Sequence, residues 1–275
     1  MEKNHYEPAT KPTLYFIGVT TSKSSIMNLF PKWAEYLRLG DCEIKGVDFL
    51  PNDETKKYQE CVEFIKNDPL SKGALVTTHK IDIFFSCADQ FDYLDEHSTT
   101  MGEISCISKD GNKLLGHAKD PISSDLALNR ILPEDYWKEK DGEVLCLGAG
   151  GAAISILYNL NRQRQQGNHP SKIFVTDIRK SRLESIQKIY RKFDTKVPIE
   201  LHQCSEIKNN DELTTNLKPH SLIINATGLG KDKPGSPFTW DVKYPQNSTI
   251  WELSLIHISE PTRRTPISYA VFCLK

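Results

Sequence analysis

Residues 142–160 read GEVLCLGAGGAAISILYNL, an apolar run that breaks on glycines and resumes at helical spacing. This stretch limits the fold more than any other. Val144 to Leu147 has strand length, Gly148, Gly150 and Ala153 keep G-x-G-x-x-G/A spacing, and Ile154, Leu157, Tyr158 and Leu160 follow a helical rhythm. The pattern predicts strand, tight turn and helix. Gly148 permits the sharp turn, Gly150 admits a pyrophosphate close to the backbone, and Ala153 lets the helix lie against the strand. Gly148, Ala149, Gly150, Gly151, Ala152 and Ala153 are thus candidate cofactor-binding residues at a helix N-terminus that favours anions. A plain structural turn is the alternative, and the next strand bears on the choice. Residues 171–177 form a β-rich run ending in Asp177, 29 residues beyond Gly148, against the usual spacing of about 20. The polar insert 161–170 accounts for the excess.

The length of 275 residues suits two domains. Lys and Arg (35) balance Asp and Glu (36), so no basic excess points to nucleic acid or an anionic membrane. No apolar run approaches the roughly 18 residues needed to span a bilayer, and residues 1–10 lack an apolar signal region, so the expected location is the cytoplasm. The seven cysteines are scattered, with no C-x-x-C pair or metal-spaced Cys/His cluster, which suits reduced thiols and predicts no metal site.

Along the chain, residues 13–18 form a strand that stops at Gly18 before a hydroxyl-rich loop containing Ser22, Ser24 and Ser25. Ser24 or Ser25 could cap the following helix, or these hydroxyls could meet a polyhydroxylated or carboxylate ligand at the strand's C-terminal end. A strand at 42–50 and a helix at 54–67 continue the alternation, which predicts a parallel α/β sheet. Residues 73–80 then form a strand delivering Thr77, Thr78, His79 and Lys80 into a loop, with a helix at 81–90. By itself Lys80 reads as a solvated charge or a catalytic base. Residues 102–108 and 113–120 form a hairpin around Asp110-Gly111 that ends on Asp120, beside a helix at 123–131 whose N-terminus that acid could stabilise. Polar residues 132–142 mark the boundary region, giving a first domain at 1–120 and a second at 121–252, with 121–142 as linker. In the second, a solvated helix at 179–192, a strand at 199–203 and a helix at 211–217 precede a strand at 221–230. That strand breaks at Thr227-Gly228, small enough to admit a flat ring, and a last strand begins at 248.

In order and along nearly all of residues 13–252, these motifs resemble the shikimate/quinate dehydrogenase family. The serine loop at 22–25, Val76-Thr77-Thr78-His79-Lys80, Gly116-His117-Ala118-Lys119-Asp120, Gly148-Ala149-Gly150-Gly151-Ala152 and residues 225–230 carry the resemblance. It implies an N-terminal α/β substrate domain followed by a Rossmann-type dinucleotide-binding domain. It also implies a nicotinamide-dependent oxidoreductase of aromatic amino acid biosynthesis, interconverting ketone and alcohol on a shikimate- or quinate-like cyclic hydroxy acid. Lys80 and Asp120 would be the catalytic pair, and Ser22, Ser24, Thr77 and Ser105 would contact substrate. Such chemistry needs a proton delivered to a ketone oxygen as hydride reaches carbon, and a lysine held by a carboxylate can supply it.

Departures from the family pattern bear on substrate choice. Leu75, Ser105 and the pair Ala118-Lys119 replace residues that would include ring-binding amides, and the Lys80 loop is one residue short. Asp177 would accept from a ribose 2′-hydroxyl and repel a 2′-phosphate, favouring NAD, whereas Arg179 leaves NADP open. The partner expected is the small molecule, with the chain a monomer or homodimer. A non-catalytic NAD-binding sensor and a methylene-tetrahydrofolate dehydrogenase-like enzyme are the alternatives.

Residues 253–275 do not continue the pattern. The sequence LSLIHISEPTRRTPISYAVFCLK reads as the in-frame translation of a transposase-type sequencing adapter, an index and a flow-cell primer site. It is expected to be a non-native tail. Because the family's C-terminal segment packs on the substrate domain, the 275-residue product is expected to be poorly stable or inactive.

Overall fold

The computed structural model describes residues 6–51, 53–164, 167–194, 197–229, 235–253 and 270–273. They divide into two compact units, Met1–Lys119 and Asp120–Lys275.

The first unit contains β1 (Thr13–Gly18), α1 (Ile26–Tyr36), β2 (Glu43–Asp48), α2 (Thr55–Asn67), β3 (Ser71–Val76) and α3 (Lys80–Cys87). After these come β4 (Tyr93–Leu94), α4 (Glu96–Met101), β5 (Cys106–Asp110) and β6 (Lys113–His117). The strands form one sheet in the order β2-β1-β3-β5-β6-β4. β1 pairs in parallel with β2 and β3, but β5 runs antiparallel to both β3 and β6. The sheet is therefore mixed where alternation predicted a parallel one. The cause is the tight connection between Asp110 and Lys113, with Gly111 at φ +59°, because a two-residue turn can join only antiparallel neighbours. Tyr15, Ile17, Ile65, Ala74, Ile83, Ile107 and Leu114 pack one side of this sheet into a buried core.

Two short elements, β4 and α4, have no periodicity to announce them. α4 is set by its ends: the Asp95 carboxylate accepts from the Ser98 N–H at 2.8 Å, and Gly102 closes the helix at φ +67°. Ser25 stands at the α1 N-cap but makes no side-chain cap bond.

The second unit contains α5 (Asp120–Ile131), β7 (Val144–Leu147), α6 (Gly151–Arg164), β8 (Ile173–Asp177), α7 (Lys180–Tyr190) and β9 (Ile199–Gln203). It continues with α8 (Ile207–Thr215), β10 (Leu222–Asn225), β11 (Thr249–Glu252) and β12 (Ala270–Cys273). The order is β12-β11-β10-β7-β8-β9, parallel throughout except β12, which runs antiparallel along β11. Every residue of β7 and β10 is buried, as a strand covered on both faces requires. The chain moves outward from β7 to β9 on one side and resumes with β10 on the other. This doubly wound order puts a topological switch point at the C-terminal ends of β7 and β10, where open α/β sheets collect ligands.

α5 starts at Asp120 itself, and α8 starts at Ile207 rather than at 211. Gly230 and most of residues 253–275 lie outside the described residues; β12 falls within the stretch expected to be non-native. Among the described residues, no helix is long and apolar enough to cross a membrane.

Candidate dinucleotide and substrate sites

At the switch point, Gly148 has φ +97°, and a Cβ there would stand 2.6 Å from the Ala226 carbonyl oxygen and 3.0 Å from the Thr227 nitrogen. Only glycine fits so close to the end of β10. The packing brings Thr227 and Gly228 beside the loop, and Gly228 also turns with positive φ, +75°. Asn225 fixes the break after β10, its Oδ1 accepting from the Thr227 hydroxyl at 2.7 Å and from the Thr227 N–H at 3.1 Å. Gly151 and Ala152 open α6, and Ala153 is fully buried, consistent with the close helix–strand packing that its size allows.

Asp177, at the end of β8, turns back onto this loop. Its Oδ2 accepts from the Ala149 N–H at 3.0 Å and its Oδ1 from the Arg179 N–H at 2.9 Å, with the Arg179 Nε at 3.9 Å from Oδ1. The predicted cofactor residues of the second unit thus converge on one sheet end. Arg182 joins them. Its Nη1 would lie 3.4 Å from a Cβ at Gly150, so its guanidinium stands over the loop. Burial pushes the Arg182 pKa down and the Arg179 cation adds to this, while Asp177 opposes it. Sequence reading missed Arg182. The available signal was its place three residues after Arg179, one turn along α7 on the same face.

In the first unit, main-chain bonds gather the predicted substrate residues at one end of the sheet. The Thr77 N–H donates to the Ile17 oxygen, the Val76 N–H to Ser105, the Ser105 N–H to His117 and the Ile104 N–H to Lys80, all at 2.9–3.0 Å. Lys80 is the first residue of α3 and is half-buried. The short loop before it is closed by Thr78 in the left-handed region, φ +55°. His79 is fully buried with its Nδ1 3.0 Å from the Tyr58 hydroxyl, and burial pushes that phenol up to about 12. Ser22 lies exposed in a 3₁₀ turn and Ser24 is half-buried just after it.

Ser105 is held by the neighbouring backbone. Its buried hydroxyl donates to the His117 oxygen at 3.4 Å and accepts from the Lys119 N–H at 2.7 Å, so it is engaged with the backbone leading into Asp120. Asp95 grips the same backbone, accepting from the Ala118 N–H at 3.2 Å. Asp120 opens α5 and is half-buried. Among the described residues, no group of three or more His, Cys, Asp or Glu is arranged to hold a metal. Two cavities of about 360 and 440 Å³ in the second unit are lined by residues of the 128–140 region, with Asn168, His220, Asn247 and Thr249, and by none of the candidate residues.

No protein-family model matches the chain. The shikimate dehydrogenase (NADP(+)) of Caldicellulosiruptor saccharolyticus is 28% identical over 195 residues, which is 70% of this chain and 61% of that protein. The enzyme of the same name from Bacillus subtilis is 27% identical over 160 residues, 58% of this chain and 50% of its own. The chain is thus similar to these dehydrogenases at 28% and 27% identity. It spans about three fifths of the length of the first of them. Among solved structures, quinate dehydrogenase from Corynebacterium glutamicum in complex with NAD superposes with a TM-score of 0.62 at 17% identity, covering 83% of this chain and 75% of that one. Shikimate dehydrogenase from Aquifex aeolicus gives 0.62 at 21% identity, covering 86% and 77%. These structures share the α/β fold with its Rossmann-type unit.

Proposed function

We propose that the protein is a nicotinamide-dependent oxidoreductase interconverting a ketone and an alcohol on a shikimate- or quinate-like cyclic hydroxy acid. The observation that carries this reading is the Gly148 turn packed on Ala226 and Thr227 at the switch point, with Asp177 tied to Ala149. Gly148 to Gly151 and the start of α6 would hold the pyrophosphate, Asp177 the adenosine ribose, and Thr227-Gly228 the nicotinamide. The bound nicotinamide supplies or accepts hydride. Lys80 would hand a proton from Nζ to the ketone oxygen in reduction and remove it from the alcohol in oxidation, with Asp120 holding the ammonium in place. Ser22, Ser24 and Thr77 would contact the ring substituents, and Ser105 would orient the segment ahead of Asp120. We further take the protein to be cytoplasmic, and a monomer or homodimer.

Cofactor choice turns on one carboxylate and two guanidinium groups. Asp177 favours NAD, since a 2′-phosphate would be repelled. A second reading, NADP, is favoured by the placement of Arg182 over Gly150 and by the cofactor that the sequence relatives' names carry. Steady-state kcat/KM with each dinucleotide decides between them, and a strong NADPH preference reverses the NAD assignment. The activity is assayed on protein shown by circular dichroism to be folded. Oxidation of shikimate or quinate that is lost in both Lys80→Ala and Asp120→Asn supports the proposal. Dinucleotide binding with no turnover of any cyclic hydroxy acid would favour the sensor instead.

A further inference from the structure

We propose that the first unit carries a second reactive centre, a nucleophilic serine at Ser108 activated by His117 and Asp95, able to take acyl or phosphonyl groups from small electrophiles with good leaving groups. This does not rest on the dehydrogenase reading.

The three residues come from separate elements: Ser108 from β5, His117 from β6 and Asp95 from the N-cap of α4. Side chains alternate across a strand, so with Ile107 and Leu114 in the core, Ser108 and His117 share the opposite face. The register pairs Cys106 with His117 and Ser108 with Leu115, which makes Ser108 and His117 diagonal neighbours. The Ser108 Oγ lies 3.2 Å from His117 Nε2, and His117 Nδ1 lies 3.3 Å from Asp95 Oδ2.

The tautomer follows from the partners. An ionised carboxylate only accepts, so Nδ1 carries the proton toward Asp95. In the neutral imidazole Nε2 is then an acceptor, and the Ser108 hydroxyl must donate to it. This is the arrangement of an activated nucleophile: hydroxyl, base, and a third group that orients the base.

Asp95 is itself held. Its Oδ1 accepts from the Ser98 N–H at 2.8 Å, the Ser98 hydroxyl at 2.6 Å and the Ala118 N–H at 3.2 Å, and Lys119 Nζ stands 3.9 Å from Oδ2. Burial works to raise the Asp95 pKa, but the Ser98 bonds, the Ala118 N–H and His117 outweigh it and hold the carboxyl below its ordinary value. Ser108 is half-buried, and the His117 and Asp95 side chains are 18% and 14% exposed, so an electrophile can reach the hydroxyl while the acid stays sheltered.

The flanking ladders set the substrate class. β5 is hydrogen-bonded on both sides, to β3 and to β6, so its backbone amides around Ser108 are committed to the sheet. A tetrahedral oxyanion would gain little from them, which excludes unactivated amides and favours aryl esters and similar pre-activated groups. In the reaction, Ser108 Oγ bonds to the acyl carbon as its proton passes to His117 Nε2. The aryl oxide departs with the bonding pair and takes up that proton, and water repeats the sequence to release the acid. No oxidant or reductant is needed.

The test uses the folded 275-residue protein with a fluorophosphonate probe and with p-nitrophenyl acetate. Peptide mapping is expected to place the phosphonyl group on Ser108, and acetylation is expected to be stoichiometric with slow release. Ser108→Ala should abolish labelling, and His117→Gln should slow it by about a hundredfold, the usual contribution of a general base. Asp95→Asn should also slow it, and circular dichroism shows which variants keep the native fold. Absence of labelling in the folded wild-type protein, labelling at another residue, or labelling of Ser108 at an unchanged rate in folded His117→Gln would each overturn the proposal.

Discussion

The two sheet ends that carry the candidate residues are built differently. At the end of β7 and β10 the backbone sets the geometry: Gly148 is forced by contact with Ala226 and Thr227, and its N–H and that of Ala149 are tied to Thr176 and Asp177. At the end of β3, β5 and β6, side chains hold the backbone, through Ser105 on Lys119 and Asp95 on Ala118. A backbone-built site tolerates almost no substitution at its glycines but fixes little about the ligand beyond its phosphates. A side-chain-built site can exchange residues and with them its substrate. The departures from the family pattern, Leu75, Ser105 and Ala118-Lys119, all fall in the second kind.

The sharpest way to break this contrast is Gly148→Val. A branched side chain must meet main-chain atoms at 2.6 Å while the residue keeps φ +97°, and we expect a loss of about 3 kcal/mol or more, read by urea denaturation, together with loss of NADH binding. Lys80→Ala should leave NADH binding intact while lowering kcat by about a hundredfold to ten-thousandfold. A parallel loss of binding would show that the two ends are not separable. Asp177→Asn keeps the shape but removes charge, and it should lower the preference for NAD over NADP by about tenfold, measured as a ratio of kcat/KM values.

How much of this was legible in the sequence follows from the same contrast. Glycine spacing and the acid at the end of β8 mark the candidate dinucleotide end, because backbone geometry restricts which residues can stand there. Asp95 and α4 left no mark. The helix has six residues, too few to show a period, and its N-cap bond and its grip on Ala118 depend on a strand that reaches it only after folding. The mixed sheet was half legible, since Asp110-Gly111 signalled the hairpin but not that β5 would lie against β3. Ser105 was visible as a hydroxyl at a substrate position, whereas its engagement with Lys119 was not.

The smallest expected effect concerns that hidden carboxylate. Because the folded Asp95 pKa is lowered, its contribution to stability is present above the ordinary aspartate value of about 4 and is lost as pH falls through the folded value. Acid titration of stability should therefore show a falling limb below about pH 4 that Asp95→Asn flattens. An unchanged limb would show that Asp95 does not hold the Ala118 backbone in solution.

That Lys80 serves ketone/alcohol chemistry with a nicotinamide cofactor is the proposal on which the rest depends. It is tested most directly by following deuterium from the C4 position of deuterated NADH or NADPH into the 3-dehydro form of shikimate or quinate. The folded wild-type protein is predicted to transfer the label to the carbinol carbon, and the Lys80→Ala variant to bind the dinucleotide but transfer none. Retained transfer in that variant, or dinucleotide binding with no transfer to any cyclic keto acid by the wild-type protein, would contradict it.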